Sequence, residues 1–104
     1  MPFDPTTLTL QKVKNIVARF GNEESLVFEN PDYATAFVGV DNNNRAVYDY
    51  ELMVAHLRVF EGMDESEARE FIDYNTIRAL PYYEHGPTVI FTSLEFMAME
   101  VDDA

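Results

Sequence analysis

The side chains that most often carry out catalysis are few in this sequence, and their spacing does not suit it. His56 and His85 are the two histidines, and neither belongs to a zinc-binding H-x-x-x-H pair. Ser25, Ser66 and Ser93 lie outside any G-x-S-x-G motif. The four glycines form neither a P-loop nor a G-x-G-x-x-G loop. We therefore expect no catalytic residues, no metal site and no cofactor, and we interpret both histidines as solvated or packed against loops.

Regularly spaced carboxylates suggest a different chemistry, the imitation of a phosphate backbone. Five of them recur at every third residue: Glu61, Asp64, Glu67, Glu70 and Asp73. Carboxylates three or four residues apart rise about 4.5–6 Å along a helix axis, and every second phosphate of one DNA strand advances about 7 Å. However, a spacing of three drifts around the helix by about 60° per step. Glu65–Arg69 and Arg69–Asp73 are also possible i,i+4 ion pairs, so an ordinary solvated face is the alternative interpretation.

The charge balance indicates which partners suit the protein. Nineteen Asp and Glu face seven Lys and Arg, which gives a formal charge of −12 on 104 residues. Residues 1–52 carry eight acids against four bases, and residues 53–104 carry eleven against three. Such a surface repels nucleic acid and anionic membranes and attracts basic proteins. We therefore expect no direct nucleic-acid or membrane binding, and a basic partner.

Composition and the N-terminal sequence narrow the class further. Eight Phe and six Tyr distinguish the chain from disordered acidic proteins. The absence of Cys excludes disulfides, thiolate metal sites and a Cys nucleophile. The start, MPFDPTTLTL, lacks a basic n-region, and no stretch reaches the roughly 18 apolar residues of a membrane span. We expect one domain over residues 1–104, located in the cytoplasm of a bacterial host cell.

A second notable stretch runs from Asp73 to Tyr83. Asn75 falls in line with the apolar face of its helix, where an amide needs hydrogen-bond partners. One interpretation is that Asn75 and Arg78 bond to the Tyr82–His85 loop and hold the helix end. The other is a binding site in which Tyr82 and Tyr83 are exposed aromatic anchors.

The first half of the chain predicts a helix, a strand and a hairpin. Thr6, Thr7 and Thr9 can cap a helix whose apolar stripe is Leu10, Val13, Ile16, Val17 and Phe20, with Gly21 at its end. Leu26–Phe28 is a possible short strand. Residues 34–40 and 45–48 read as two strands joined by the turn residues Asp41–Asn44, which predicts a β-hairpin.

The second half predicts two consecutive helices, a strand and a tail. Asp49 can cap a helix through Glu61 that buries Leu52, Met53, Leu57 and Phe60. Asp64 and Glu67 form a capping box for a helix that runs to about Ala79 and buries Ala68, Phe71, Ile72 and Asn75 or Tyr74. Residues 88–91 follow as a third strand, and residues 92–104 as a loosely attached tail that is either a short helix or a frayed segment. The order α-β-β-α-α-β, with a β-hairpin and an αα-hairpin, gives an α+β fold.

Two segments resemble a small uncharacterised family of phages and other mobile elements of Gram-positive bacteria. They are AVYDYELM at 46–53 and EFIDYNTIRALPY at 70–82, and the resemblance covers roughly residues 33–91. No catalytic residues can be carried over from it, since none are known for that family. It does imply a setting in which small acidic proteins include anti-CRISPR proteins and other DNA mimics.

These observations give three functional hypotheses. In the first, a non-enzymatic, phage-derived protein inhibits a basic nucleic-acid-handling host protein, such as a Cas effector, by DNA mimicry. Its expected contact residues are Glu61, Asp64, Glu65, Glu67, Glu70, Asp73, Tyr82 and Tyr83. In the second, the aromatic content and the 91–101 segment build a homodimer, and the charge serves solubility. The third is a small enzyme or ligand-binding domain, which requires a pocket around His85, Tyr83 and Arg78.

Overall fold

Four α-helices and a three-stranded sheet make up an α+β fold in the computed structural model, which describes residues 3–101. The elements in chain order are α1 (Leu10–Phe20), β1 (Phe37–Val40), β2 (Ala46–Asp49), α2 (Tyr50–Phe60), α3 (Glu65–Asn75), β3 (Thr88–Ile90) and α4 (Leu94–Glu100). Short 3-10 helices lie at Pro5–Thr7, Ala34–Ala36 and Ile77–Tyr82. The predicted fold class is confirmed.

Helix α1 begins and ends where the sequence predicts. The Thr9 hydroxyl accepts a hydrogen bond from the backbone N–H of Lys12, and Val13 and Val17 are buried. Phe20 is 66% exposed, so the buried stripe is narrower than predicted. Gly21 closes the helix with a negative φ of −107°. A Cβ there would lie 2.7 Å from the Asn44 carbonyl oxygen, so the close approach of the hairpin turn explains the glycine.

The hairpin at the predicted turn is confirmed. Strands β1 and β2 pair antiparallel, and the backbone N–H of Asp41 donates to the Arg45 carbonyl at 2.9 Å. Asn44 adopts a left-handed φ of 65°, which Asn tolerates better than most residues. The first strand begins only at Phe37, because residues 34–36 form a 3-10 turn.

The strand predicted at Leu26–Phe28 is wrong. This segment is irregular, and its backbone bonds go to other parts of the molecule. The N–H of Leu26 donates to the His85 carbonyl at 2.9 Å, and that of Phe28 donates to the Tyr48 hydroxyl at 3.2 Å. The Phe28 ring packs against the rings of Tyr33 and Tyr48. Packing of one aromatic ring therefore fixes a segment that no strand partner holds.

Strand β3 is confirmed and pairs parallel to β2, which makes β2 the central strand. A parallel pair needs a long crossover connection, and α2 and α3 provide it. All four residues of β2 are buried, so the end of β2 delivers Tyr50 to the core as the first residue of α2.

Helix α2 is capped by Asp49 as predicted, with the Asp49 carboxylate accepting from the N–H of Leu52 at 3.1 Å. Its buried face is different from the predicted one: it consists of Tyr50, Met53, Val54 and Leu57. Leu52 is 42% exposed and Phe60 is 60% exposed. The reason is that Tyr50 continues a buried strand and so fixes the rotation of the helix about its axis. Leu52, two residues later, lies about 200° around the axis from Tyr50 and is therefore exposed.

The predicted capping box of α3 is confirmed: Asp64 accepts from the Glu67 N–H at 2.8 Å, and Glu67 accepts from the Asp64 N–H at 3.2 Å. Ala68 and Ile72 are buried and Phe71 is partly buried. The prediction that Tyr74 or Asn75 is buried is wrong, since both are exposed.

Helix α3 also ends earlier than predicted, at Asn75, and a 3-10 helix that includes Pro81 follows it.

Helix α4 occupies part of the predicted tail. Ser93 caps it by accepting from the Phe96 N–H at 3.1 Å. None of its described side chains is fully buried, and Phe96 packs against the core through Tyr50. The last three residues of the tail, 102–104, lie outside the described residues.

Candidate functional site

The outer face of α3 carries three of the predicted contact residues. Ala68 and Ile72 fix the side of α3 that faces the core. At about 100° per residue, Glu70 lies about 180° from the midpoint of these two, and Glu67 and Asp73 lie about 60° to either side of Glu70. All three carboxylates are exposed. We call Glu67, Glu70 and Asp73 the acidic face of α3.

The other predicted carboxylates border this face and do not extend it as one ladder. Glu61 is the C-cap residue of α2, and Asp64 is the N-cap of α3. Glu65 lies on a different side of α3, beside Arg69. The spacing of three along the sequence therefore crosses from one helix to the next, which a pattern of sequence positions alone does not reveal.

Arg69, the one basic residue of α3, points away from the acidic face. Its guanidinium forms a two-point ion pair with Glu51 of α2, at 3.0 and 2.9 Å, and its Nε donates to Glu65 at 3.1 Å. The guanidinium also lies over the Phe96 ring of α4, 4.4 Å from its centre. Hydrogen bonding to Glu51 raises the pKa of Arg69, against an opposing effect of burial.

This arrangement confirms one predicted ion pair of α3 and replaces the other. Glu65–Arg69 forms, whereas Asp73 accepts a long hydrogen bond of 3.4 Å from the Tyr50 hydroxyl. Across residues 3–101, the carboxylates of the acidic face make no ion pair with a Lys, Arg or His side chain. Their charges are therefore available to a cationic partner.

The predicted aromatic anchors lie at the end of the 3-10 helix that follows α3, Tyr82 as its last residue and Tyr83 as its C-cap. Tyr82 is 88% exposed and Tyr83 is 52% exposed. The interpretation that Asn75 and Arg78 hold the Tyr82–His85 loop is not what the described contacts show. Arg45 donates to the Glu84 carbonyl at 2.9 Å and so holds the loop, while Arg78 stacks over the Tyr74 ring at 4.2 Å.

A cavity of about 330 Å³ opens beside Tyr83, which the third functional hypothesis requires, although neither His85 nor Arg78 lines it. Its walls are the irregular segment 26–31 and the 3-10 segment with Pro87. Tyr33 and Thr76 line it as buried residues, 1% and 7% exposed. No motif in the sequence around residues 30–33 indicates that Tyr33 lines a cavity.

The Tyr33 hydroxyl is buried without a hydrogen-bond partner among the described residues. Burial raises the pKa of Tyr33; the nearby Thr76 hydroxyl opposes the rise but makes no hydrogen bond of good geometry with it. The backbone of Tyr33 has a φ of 47°, an uncommon conformation for a bulky side chain. Such backbone outliers concentrate at functional sites.

His56 belongs to a polar cluster that no motif in the sequence indicates. Its Nδ1 lies 2.9 Å from the Thr35 hydroxyl, and its Nε2 lies 3.9 Å from an Asp32 carboxylate oxygen. The order hydroxyl, imidazole, carboxylate resembles a catalytic triad. However, 3.9 Å is too long for a hydrogen bond, and the same Asp32 oxygen accepts from the Ala34 N–H at 2.9 Å. Burial lowers the pKa of His56, opposed by Asp32 and Glu61. The cluster fastens the 34–36 turn to α2.

Other tests for function gave few constraints. Comparisons with protein-family models, curated proteins and solved structures found no match for this chain. Within residues 3–101, no three His, Asp or Glu side chains come together as metal ligands would. The described helices include none with the length and apolar composition needed to cross a bilayer.

Proposed function

We propose that this is a non-enzymatic acidic binding protein of phage or mobile-element origin. It acts in the bacterial cytoplasm and inhibits a basic nucleic-acid-handling host protein, such as a Cas effector, by occupying the surface that binds nucleic acid. The contact surface is the acidic face of α3, bordered by Glu61, Asp64 and Glu65. Tyr82 and Tyr83 are its aromatic anchors.

The proposal rests on one observation. Arg69, the only basic residue of α3, packs against the other helices, whereas the carboxylates of the acidic face are exposed and make no ion pair with a described residue. Arg69 is held by Glu51 and Glu65, so it does not neutralise Glu70 or Asp73. A face that served only solubility would be expected to mix both signs of charge. The acidic face of α3 instead carries only negative charge, as a phosphate backbone does.

The spacing of the charges permits mimicry without copying DNA in detail. Glu67, Glu70 and Asp73 rise about 4.5 Å per step along the axis, compared with about 7 Å for every second phosphate of a strand. Lys and Arg side chains on a partner are long and flexible enough to absorb this difference. The net charge of −12 adds long-range attraction, which falls off over about 8 Å at physiological salt.

A charge-reversal experiment with a matched control tests this surface. The test variant carries Glu70→Lys and Asp73→Lys, and the control carries Glu23→Lys and Glu100→Lys, which are exposed and lie elsewhere. Each variant raises the net charge by four. Glu67 is kept because it closes the capping box. Tagged proteins are passed through lysate of a bacterial host that carries CRISPR systems, and a captured nucleic-acid-binding protein is then purified for affinity measurements at low and high salt.

We expect the test variant to bind at least about tenfold more weakly than wild type, and the control to stay within about twofold. Equal weakening of both variants would mean that net charge alone drives binding. Unchanged affinity of the test variant would rule out the acidic face as the contact surface.

A second candidate, self-association, is favoured by the outer side of α2. Leu52, Ala55 and Val59 follow one another at helical spacing and are exposed, Val59 by 74%. An apolar helix stripe of this kind is typical of a buried contact. If it forms a homodimer, light scattering will show a dimer mass that persists in high salt and is lost in Val59→Glu. A monomer mass at all concentrations would remove this candidate.

A further inference from the structure

The cavity beside Tyr83 combines apolar walls with a polar, partnerless interior. Leu26, Val27 and Leu80 contribute apolar wall surface. Tyr33 and Thr76 supply two buried hydroxyl groups, and no described group bonds to that of Tyr33. A volume of about 330 Å³ is within the usual range of ligand sites, which pair apolar lining with a few placed polar groups. A buried hydroxyl without a partner costs free energy unless a ligand satisfies it.

The charges in and around the cavity favour a positively charged ligand. Among the described residues, Glu29 is the one charged side chain that lines it, and its carboxylate is 3.3 Å from Lys14 in a solvent-exposed ion pair. Exposed ion pairs of this kind contribute little to stability, so Glu29 can readily exchange Lys14 for a cation of the ligand. The Tyr33 and Thr76 oxygens and the Asn75 amide oxygen can all accept hydrogen bonds. The net charge of −12 adds attraction for positive ligands.

We propose that this cavity receives an arginine side chain from an extended basic segment of the protein's partner. Arginine fits because its apolar stem can lie along the walls while its guanidinium supplies several donors at once. Tyr83 is half-exposed at the cavity and offers a ring face for the guanidinium to stack on. A lysine ammonium supplies a single point charge and lacks the planar stacking surface.

The position of the cavity connects it to the acidic face. Asn75 lines the cavity and also a shallower depression that includes Glu67, Glu70 and Tyr74. The two surfaces are therefore continuous around the C-terminal end of α3. One basic segment can place an arginine in the cavity while its neighbouring cations lie against the carboxylates. This inference rests on the proposed function, which it deepens by naming the anchor.

Peptide titrations test the occupant directly. The probes are three blocked pentapeptides, acetyl-Gly-Ser-X-Ser-Gly-amide, in which X is arginine, lysine or citrulline, the neutral isostere of arginine. Backbone amide shifts of ¹⁵N-labelled protein report both affinity and location. We expect the arginine peptide to shift Val27, Thr76 and Tyr83 saturably, and the lysine and citrulline peptides to bind at least about fivefold more weakly. Equal binding of arginine and lysine, or of arginine and citrulline, would overturn the proposal.

Two variants and a control locate the contact. Tyr33→Phe removes the partnerless hydroxyl, and we expect it to weaken the arginine peptide about fivefold while leaving the thermal midpoint unchanged or higher. Asn75→Ala, at an exposed position, should weaken the peptide as well without affecting folding. Asn42→Ala removes an exposed amide in the hairpin turn, outside the cavity, and should change nothing. Full affinity in both Tyr33→Phe and Asn75→Ala would overturn the assignment.

The outcome can be separated from that of the proposed function. If charge reversal of Glu70 and Asp73 abolishes partner binding but the arginine peptide does not bind, the cavity proposal fails and the function stands. If the peptide binds the cavity and charge reversal leaves partner binding intact, the acidic-face contact fails instead.

Discussion

At the scale of single residues, Asp41 joins the hairpin turn to the third strand. One carboxylate oxygen accepts from the backbone N–H groups of Asn43 and Arg45, at 2.9 and 3.0 Å. The other accepts from the Thr88 hydroxyl at 2.8 Å. The carboxylate therefore links β1, β2 and β3 through one side chain.

We expect Asp41→Ala to lower the free energy of unfolding by about 2 kcal/mol, because three hydrogen bonds to a charged group are lost and Thr88 is left without its acceptor. Urea unfolding followed by circular dichroism measures the change. Asn42→Ala, an exposed position in the same turn, is the control and should lie within about 0.5 kcal/mol of wild type. An unchanged midpoint in Asp41→Ala would show that the turn holds without the carboxylate.

The same residue predicts a pH dependence. Burial opposes ionisation of Asp41, but hydrogen bonds from Arg45, Thr88 and Asn43 outweigh it and lower the pKa of this carboxyl. A lowered folded-state pKa gives stability that is present above the unfolded value of about 3.9 and is lost as the pH falls through the folded value. The stability difference between wild type and Asp41→Ala should be constant from pH 7 to 5 and shrink below about pH 4.

At the scale of elements, Arg69 connects the three helices α2, α3 and α4. It bonds Glu51 of α2 and Glu65 of α3 and lies over Phe96 of α4. Helix α4 has no fully buried described side chain, so its attachment depends on the ring contacts of Phe96 with Tyr50 and Arg69.

We expect Arg69→Gln to lower the free energy of unfolding by about 1.5–3 kcal/mol and to speed amide hydrogen exchange in α4 ahead of α2. Arg69→Lys keeps the charge but loses the two-point bond, and should recover less than half of the loss. Hydrogen exchange read by mass spectrometry gives the order of opening. Unchanged exchange in α4 would show that Arg69 does not fasten it.

Some features of these elements can be predicted from the sequence, and others cannot. Caps and turns are local, so Thr9, Asp49, the Asp64–Glu67 box and the Asp41–Asn44 turn could be read directly. Helix rotation is not local: Leu52 is exposed because the preceding strand carries Tyr50 into the core.

Tertiary contacts likewise decided the candidate site. The i,i+4 spacing predicts Glu65 and Asp73 as partners of Arg69 on its own helix. Its two-point ion pair is instead with Glu51, 18 residues away. The acidic face has no cation of its own helix beside it because Arg69 binds Glu51, and helical spacing does not predict that contact. The cavity depends on Tyr33, whose position follows from packing against Phe28 and His56.

At the scale of the whole molecule, the charge of −12 acts as a field. Acids outnumber bases by eight in residues 53–104 and by four in residues 1–52, so the half that contains α3 is the more negative. Association with a basic partner should therefore be fast at low salt and slow markedly as the Debye length shortens. We propose that the field attracts the partner and that the acidic face and the cavity determine how it docks.

The central claim is that the protein occupies the nucleic-acid site of its partner, and a displacement titration tests it most directly. A fluorescent DNA duplex is bound to the purified partner, and the protein is added while anisotropy is recorded. We expect the duplex to be released as the complex forms, and the Glu70→Lys, Asp73→Lys variant to release it at least about tenfold less effectively. A ternary complex, in which the protein binds and the duplex stays bound, would contradict the account.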